Sequence, residues 1–174
     1  MTLSLRRIAV AVLAAAMVLV GVVAGGPARA ATAGGYDHLR PQHFTIVFTS
    51  KAPDGVVYAS GPIYGVGTNK DTSNTLSVFT FKKGSVNVKH TDVSSAQPKI
   101  GKHCIATIYA AGKWMLAGGT GKYKHASGYG KFKFFEVMQL KRDKKGKCDL
   151  NQEPKWFFGK VTAWGKATTG EHDH

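Results

Sequence analysis

The hydrophobic positions divide the chain into two unlike parts. Residues 8–23 are an almost continuous run of Ala, Val, Leu and Ile. From about residue 43 onward, apolar side chains instead come in short runs that alternate with polar ones, the period of strands with one buried face. Phe44, Ile46 and Phe48 fall on one side, and Thr45, Val47 and Thr49 on the other. A turn at Ala52–Gly55 is predicted to end this strand, and Val56–Gly67 reads as a second, bent at Gly61, Pro62 and Gly65. Thr75–Phe81 and Ser85–Thr91 read as a hairpin around Lys82–Gly84, followed by a polar connection over Asp92–Lys102. His103–Ala110 and Lys113–Ala117 read as a second hairpin around Ala111 and Gly112. Ser127–Leu140, a charged loop at Lys141–Lys147 and a last strand at Trp156–Lys166 complete the pattern.

No stretch beyond the first part carries the 3.6-residue period of a long helix. About eight strands with connections too short for crossover helices predict sequential antiparallel pairing. Such strands close into a barrel or stack as a sandwich, and closure removes edges that would otherwise aggregate. The expected fold is therefore all-β, a single eight-stranded antiparallel β-barrel over residues 43–166, with flexible segments at 31–42 and 167–174. Phe44, Phe48, Phe79, Phe81, Phe132, Phe134, Trp114, Trp156 and Trp164 are expected mostly to fill its core. The competing expectation is that some of them line a lumen for a small apolar ligand.

The first part has a different meaning. Arg6 and Arg7 precede the apolar run, and Ala28 and Ala30 give the A-x-A spacing that a signal peptidase accepts. Residues 1–30 thus predict a secretory signal cleaved after Ala30, and a secreted protein. A retained anchor is the alternative, although a membrane span needs about 20 apolar residues. Cleavage would leave 144 residues and remove three of the 24 basic side chains, so 21 would face 10 acidic ones. A net charge near +11 attracts polyanions: anionic cell-envelope polymers, lipid head groups or nucleic acid. Lys141, Arg142, Lys144, Lys145 and Lys147 concentrate that charge, and Lys122, Lys124, Lys131 and Lys133 extend it. This is either a contact surface for an anionic polymer or a solvated loop that resists aggregation. Nucleic acid is disfavoured, because the loop lacks stacking aromatics and the chain carries an export signal.

Cys104 and Cys148 are the two cysteines. In an oxidising compartment an even count predicts one bridge, closing a loop of about 43 residues and contributing about 3–4 kcal/mol. Separate thiols are the alternative. Zinc is disfavoured because no CxxC or HxxxH spacing accompanies them.

The segment from Leu116 to Phe132 is the most distinctive of the chain. Gly118, Gly119, Thr120, Gly121, Tyr123, Ala126 and Gly128 resemble the strand–turn–strand signature of the allene oxide cyclase-like and dirigent-like barrels. Val57–Gly67, Phe79–His90, Cys148, Asp149 and Val161–Gly165 are similar to other parts of small bacterial secreted members of that group. The resemblance implies an eight-stranded barrel with a central cavity, and an isomerase-type role in steering cyclisation of a reactive intermediate. It also implies a dimer or trimer. Read physically, consecutive glycines let the chain leave a strand at positive φ and approach a neighbour, while Tyr123 covers the barrel end. The same segment fails as a phosphate loop: Tyr123 follows Gly121 and Lys122, and Leu116 stands where the first Gly belongs. It fails as a dinucleotide fingerprint because Lys124 occupies the third Gly position.

Glu136 is the one candidate catalytic residue. Alternation through Phe132, Phe134, Glu136, Met138 and Leu140 places its carboxylate on an apolar face, where desolvation would raise its pKa and suit it to acid–base work. A bulge at Phe134 and Phe135 would instead turn it outward to pair with lysines. His90 and His103 lie near strand ends, where a barrel mouth can bring them together but surface or hydrogen-bonded roles are the simpler expectation, and His125 sits exposed in the glycine-rich turn. The tail Glu171–His174 is a poor metal site on a terminus. No Gly-x-Ser-x-Gly elbow is present. These observations predict a secreted, non-enzymatic binding barrel with no cofactor and no metal. Its expected ligand is a small apolar molecule inside or an anionic envelope component, polymer or lipid, outside.

Overall fold

The computed structural model describes residues 38–95 and 97–170. The expected leader at 1–30, most of the segment 31–42 and the end of the tail at 171–174 lie outside the described residues. Strand β1 spans Arg40–Thr49, β2 Ala52–Ser60, β3 Gly65–Ser73, β4 Leu76–Phe81 and β5 Gly84–Ser95. A two-residue strand β6 (Lys99–Ile100) precedes β7 (Ile105–Gly119) and β8 (Ser127–Gln139). The short pair β9 (Lys141–Arg142) and β10 (Cys148–Asp149) leads into β11 (Trp156–Thr168). Single turns of 3₁₀ helix occupy Lys102–Cys104 and Gly121–Tyr123.

Every pairing is antiparallel. The order β5-β4-β3-β2-β1-β11-β8-β7 closes on itself because β5 also pairs with β7. This is the closed eight-stranded barrel that the period-two pattern predicts. Strand β6 adds only two residues to the start of β7, and β9 with β10 forms a separate small hairpin.

The strands are not the ones expected, although their number is. Val56–Gly67 is two strands rather than one: Gly61 and Gly65 both sit at positive φ and reverse the chain between β2 and β3. Residues 105–119 are one strand rather than a hairpin. Gly112 makes no turn there; a Cβ on it would lie 2.3 Å from the Thr91 carbonyl oxygen and 2.5 Å from the Phe132 ring. That glycine exists to let a neighbouring strand and a core ring approach. The split and the merger cancel in the count. The expected turn at Ala52–Gly55 lies within β2, and the expected connection after Thr91 begins with four more residues of β5.

The ends also differ. Arg40 to Gln42 belong to β1, and Gln42 is fully buried. Its amide donates to the carbonyl oxygens of Ser60 and Ile63 and accepts from Ile63 N–H at 2.9 Å, so it fixes the β2–β3 turn. Ala167, expected in a loose tail, is fully buried on β11.

Alternation fills the interior. Phe44 packs edge-on against Phe79 and Trp114, with ring centroids 5.4 and 5.5 Å apart. Phe48 stacks on Phe134 at 5.8 Å, and Phe81 meets Tyr123 at 5.9 Å. Where the resemblance implies a cavity, rings meet across the barrel. A smaller cluster of Cys104, Ala106, Met138 and Leu140 occupies the far end, beside the bond from Cys104 to Cys148.

Candidate functional site

Strands β7, β8 and β11 lie side by side with no register shift. Parity therefore decides where each side chain points. The outward positions carry Lys113, Lys131, Lys133, Lys160 and Lys166, all exposed, while the three strands contain a single acidic residue, the inward Glu136. Exposed rings lie between these lysines: Tyr109, Tyr129, Trp156, Phe158 and Trp164. Trp164 is 36% exposed and Tyr129 54% exposed, enough to present a ring face to a ligand.

Register sets the spacing. Lys113 stands opposite Lys131, Lys131 opposite Trp164, and Trp164 opposite His43 of β1, a row spanning roughly 14 Å. The next row toward the glycine turn is Met115, Tyr129 and Lys166. Like charges placed directly across a ladder are destabilising, so the pair Lys113 and Lys131 is a cost that a bound anion would relieve. An open recess of about 300 Å³ lies here, walled by Lys113, Lys131, Lys133 and Trp164 with Ser94 and Ala111 at its edge.

The face is held from beneath. Trp114 points inward and donates its indole N–H to the Lys131 carbonyl oxygen at 3.2 Å. A Cβ on Gly130 or Gly165 would come within 2.6 or 2.8 Å of that indole. The two glycines thus let the sheet lie directly on the ring.

The basic residues expected to form one patch are divided between the ends of β8, about 40 Å apart. Lys122 and Lys124 flank Tyr123 at one end. There Lys122 N–H donates to the Lys83 carbonyl, and Lys83 Nζ donates to the Tyr64 hydroxyl at 2.6 Å, which with its charge lowers the Tyr64 pKa. Lys141, Arg142, Lys144, Lys145 and Lys147 lie at the other end. Asp143 shapes their loop by accepting from the N–H groups of Lys145 and Lys147, and Arg142 donates to the Gly146 carbonyl. Only Lys131 and Lys133 of the expected extension lie on the face between.

The segment Gly118–Gly128 forms a corner. Gly118 and Gly121 adopt positive φ. Thr120 N–H donates to the Ser85 carbonyl at 2.9 Å, and its hydroxyl accepts from Ser85 N–H. Tyr123 is fully buried over the barrel end, its hydroxyl without a partner, so it acts through its ring volume.

Glu136 faces inward. No bulge interrupts β8, and the carboxylate lies opposite Ile108 and Gly159, between Phe134 and Met138. Burial pushes its pKa up. Among the described residues no hydrogen bond or ion pair holds it, so the salt-bridged alternative is not what the structure contains. His90 packs edge-on against Phe132 inside the barrel, while His103 is exposed next to Cys104, most of the length of β7 away. His125 is exposed, and Glu171–His174 lies outside the described residues. Among the described residues no cluster of three His, Cys, Asp or Glu is placed to hold a metal, and no helix is long and apolar enough to cross a membrane.

The signal for this face is strand parity, which outweighs the bulk that otherwise sends a tryptophan to the core. Trp164 lies between Ala163 and Gly165, whose inward positions leave it outside. Lys131 and Lys133 already share the parity of Tyr129. No family model, curated protein or solved structure matches the chain.

Proposed function

We propose that the chain is a secreted, non-enzymatic barrel that binds an extended polyanion on the outer face of β7, β8 and β11. One observation carries this reading: five exposed lysines interleaved with rings, and no outward carboxylate, on three adjacent strands. Such a face attracts anions and repels a second copy of itself. Rings that meet across the interior weigh against an apolar ligand in the lumen. The leader and the bond between Cys104 and Cys148 support export. Kinship with the allene oxide cyclase-like barrels is likewise a proposal, resting on the glycine corner and the eight-strand closure.

The test is retention on an anionic polymer matrix. Reversing Lys113, Lys131 and Lys133 to Glu is expected to weaken binding at least tenfold. Reversing Lys144, Lys145 and Lys147 should weaken it no more than about threefold, because charges in a loop beyond the end of β8 act on this face only through a screened field. A larger loss from the loop variant would move the site to the loop and end this reading.

Glu136 favours a second reading, acid–base chemistry of the isomerase type. It supplies one desolvated carboxyl with no partner group, which is half of what proton transfer between two positions of a substrate requires.

A further inference from the structure

We propose that the polyanion is single-stranded nucleic acid, whose bases stack on the exposed rings while its phosphates meet the lysines. This rests on the reading of the face given above and names its ligand class. Non-specific single-strand binding needs a basic track with aromatic platforms between the charges. Trp164 and Tyr129 stand in adjacent rows, flanked by Lys131 and Lys166, and Tyr109 lies farther along, opposite Phe135 with ring centroids 5.0 Å apart. On β8 and β11 a ring and an ammonium stand one outward step apart at Tyr129 and Lys131, Lys133 and Phe135, Phe158 and Lys160, and Trp164 and Lys166, two residues or roughly 6.6 Å, a step on the scale of the nucleotide repeat of an extended strand. The recess beside Trp164 has three lysines around it, so a base on the indole would have its phosphate within their reach.

Other occupants fit less well. A duplex hides its base faces and would leave the rings unused. A bilayer is planar, whereas these rings and lysines follow the curved wall of a closed barrel, so few of the rings would reach the head-group level together. The outward positions hold no Asn, Asp, Glu or Arg for base edges, and the one amide, Gln139, already accepts from the Trp156 indole, so binding should be tolerant of sequence. Nucleic acid released by lysed cells offers this chemistry outside the cell, which removes the conflict with export.

The experiment titrates the purified protein with a thymidine oligonucleotide, its duplex form, inorganic polyphosphate and an anionic polysaccharide of matched charge, following tryptophan fluorescence over a range of salt. The oligonucleotide is expected to bind at least tenfold more tightly than polyphosphate or the duplex. Trp164→Ala should weaken it about tenfold and leave polyphosphate unchanged, and Trp164→Phe should restore most of the loss. Changing Lys113, Lys131 and Lys133 to Gln should weaken both ligands and reduce the salt slope for the oligonucleotide by about 2. Equal binding of oligonucleotide and polyphosphate, with Trp164→Ala silent, would overturn the stacking proposal and leave the polyanion reading standing. Tighter binding of the polysaccharide would overturn it in favour of a glycan. Binding of none of the four would overturn both.

Discussion

The two ends of the barrel meet the same demand by opposite means. At each, β7 begins or ends beside backbone in the left-handed region. The corner after β7 uses Gly118 and Gly121, at φ of 74° and 57°. The entry to β7 uses His103 and Cys104, at φ of 60° and 61°, where a side chain makes that conformation cost of order 1 kcal/mol or more per residue. The corner is tied by backbone bonds from Thr120 and Lys122 to the β4–β5 turn and is filled by Tyr123. The other end has the small cluster around Met138 and Leu140 and a backbone bond from Leu140 N–H to the Cys104 carbonyl at 2.9 Å, and a covalent bond to Cys148 joins it. The lesson is that glycine placement and cross-linking are alternative ways to close a barrel. At β7 the first closes the exit and the second the entry.

The comparison breaks most sharply at Gly119. A Cβ there would stand 1.9 Å from the Ser85 carbonyl oxygen and 2.9 Å from that of Tyr123, both backbone atoms. Gly119→Ala must therefore open the β5–β7 seam and is expected to cost more than about 4 kcal/mol, or to prevent folding. Thermal or urea denaturation measures it, and a loss below about 1 kcal/mol would mean that the corner does not hold the seam. At the opposite end, replacing Cys104 and Cys148 together by Ser is expected to cost about 3–4 kcal/mol, the loop-closure value for their separation of 44 residues. The loss should be uneven. Amide exchange is expected to quicken first at Ile105–Ile108 and residues 136–139, while the corner stays protected. Uniform loss of protection would show that the two ends do not stabilise independently.

The fold was legible where one physical rule decided it. Period-two alternation gave strands, and their short connections gave antiparallel closure. Turns were less legible, because Gly and Pro mark several unlike events. Gly61 reverses the chain, Gly112 admits Phe132, and Gly130 seats the sheet on Trp114, yet all three are the same letter. Gln42 falls in the segment expected to be loose, since a polar residue beside Pro41 carries no periodic signal. Its role appears only when the Ile63 backbone stands beside it. The face was half legible: Lys131 and Lys133 were in view, but Trp164 and Lys113 join them only through cross-strand register. Glu136 is the reverse case: parity alone points it inside, while the basic surface that favours an outward, ion-paired carboxylate misleads.

Glu136 gives the smallest effect and the finest test of the weaker end. Its carboxyl lies between the main core and the small cluster, and burial raises its pKa above the ordinary value of 4.5. The folded chain therefore holds this proton more tightly than the unfolded chain does. The stability contributed by the neutral acid is full below the ordinary value and is lost as pH rises through the folded one. Above that, an ionised carboxylate is penalised in place. Glu136→Gln does not titrate, so it should melt with the parent near pH 4 and above it at neutral pH. Melting temperatures of both proteins between pH 4 and pH 8 measure the difference. A constant gap, or a parent that is more stable at neutral pH, would mean that Glu136 finds water or a cation when ionised. The small cluster would then be open rather than dry, and the acid–base reading would lose its one group.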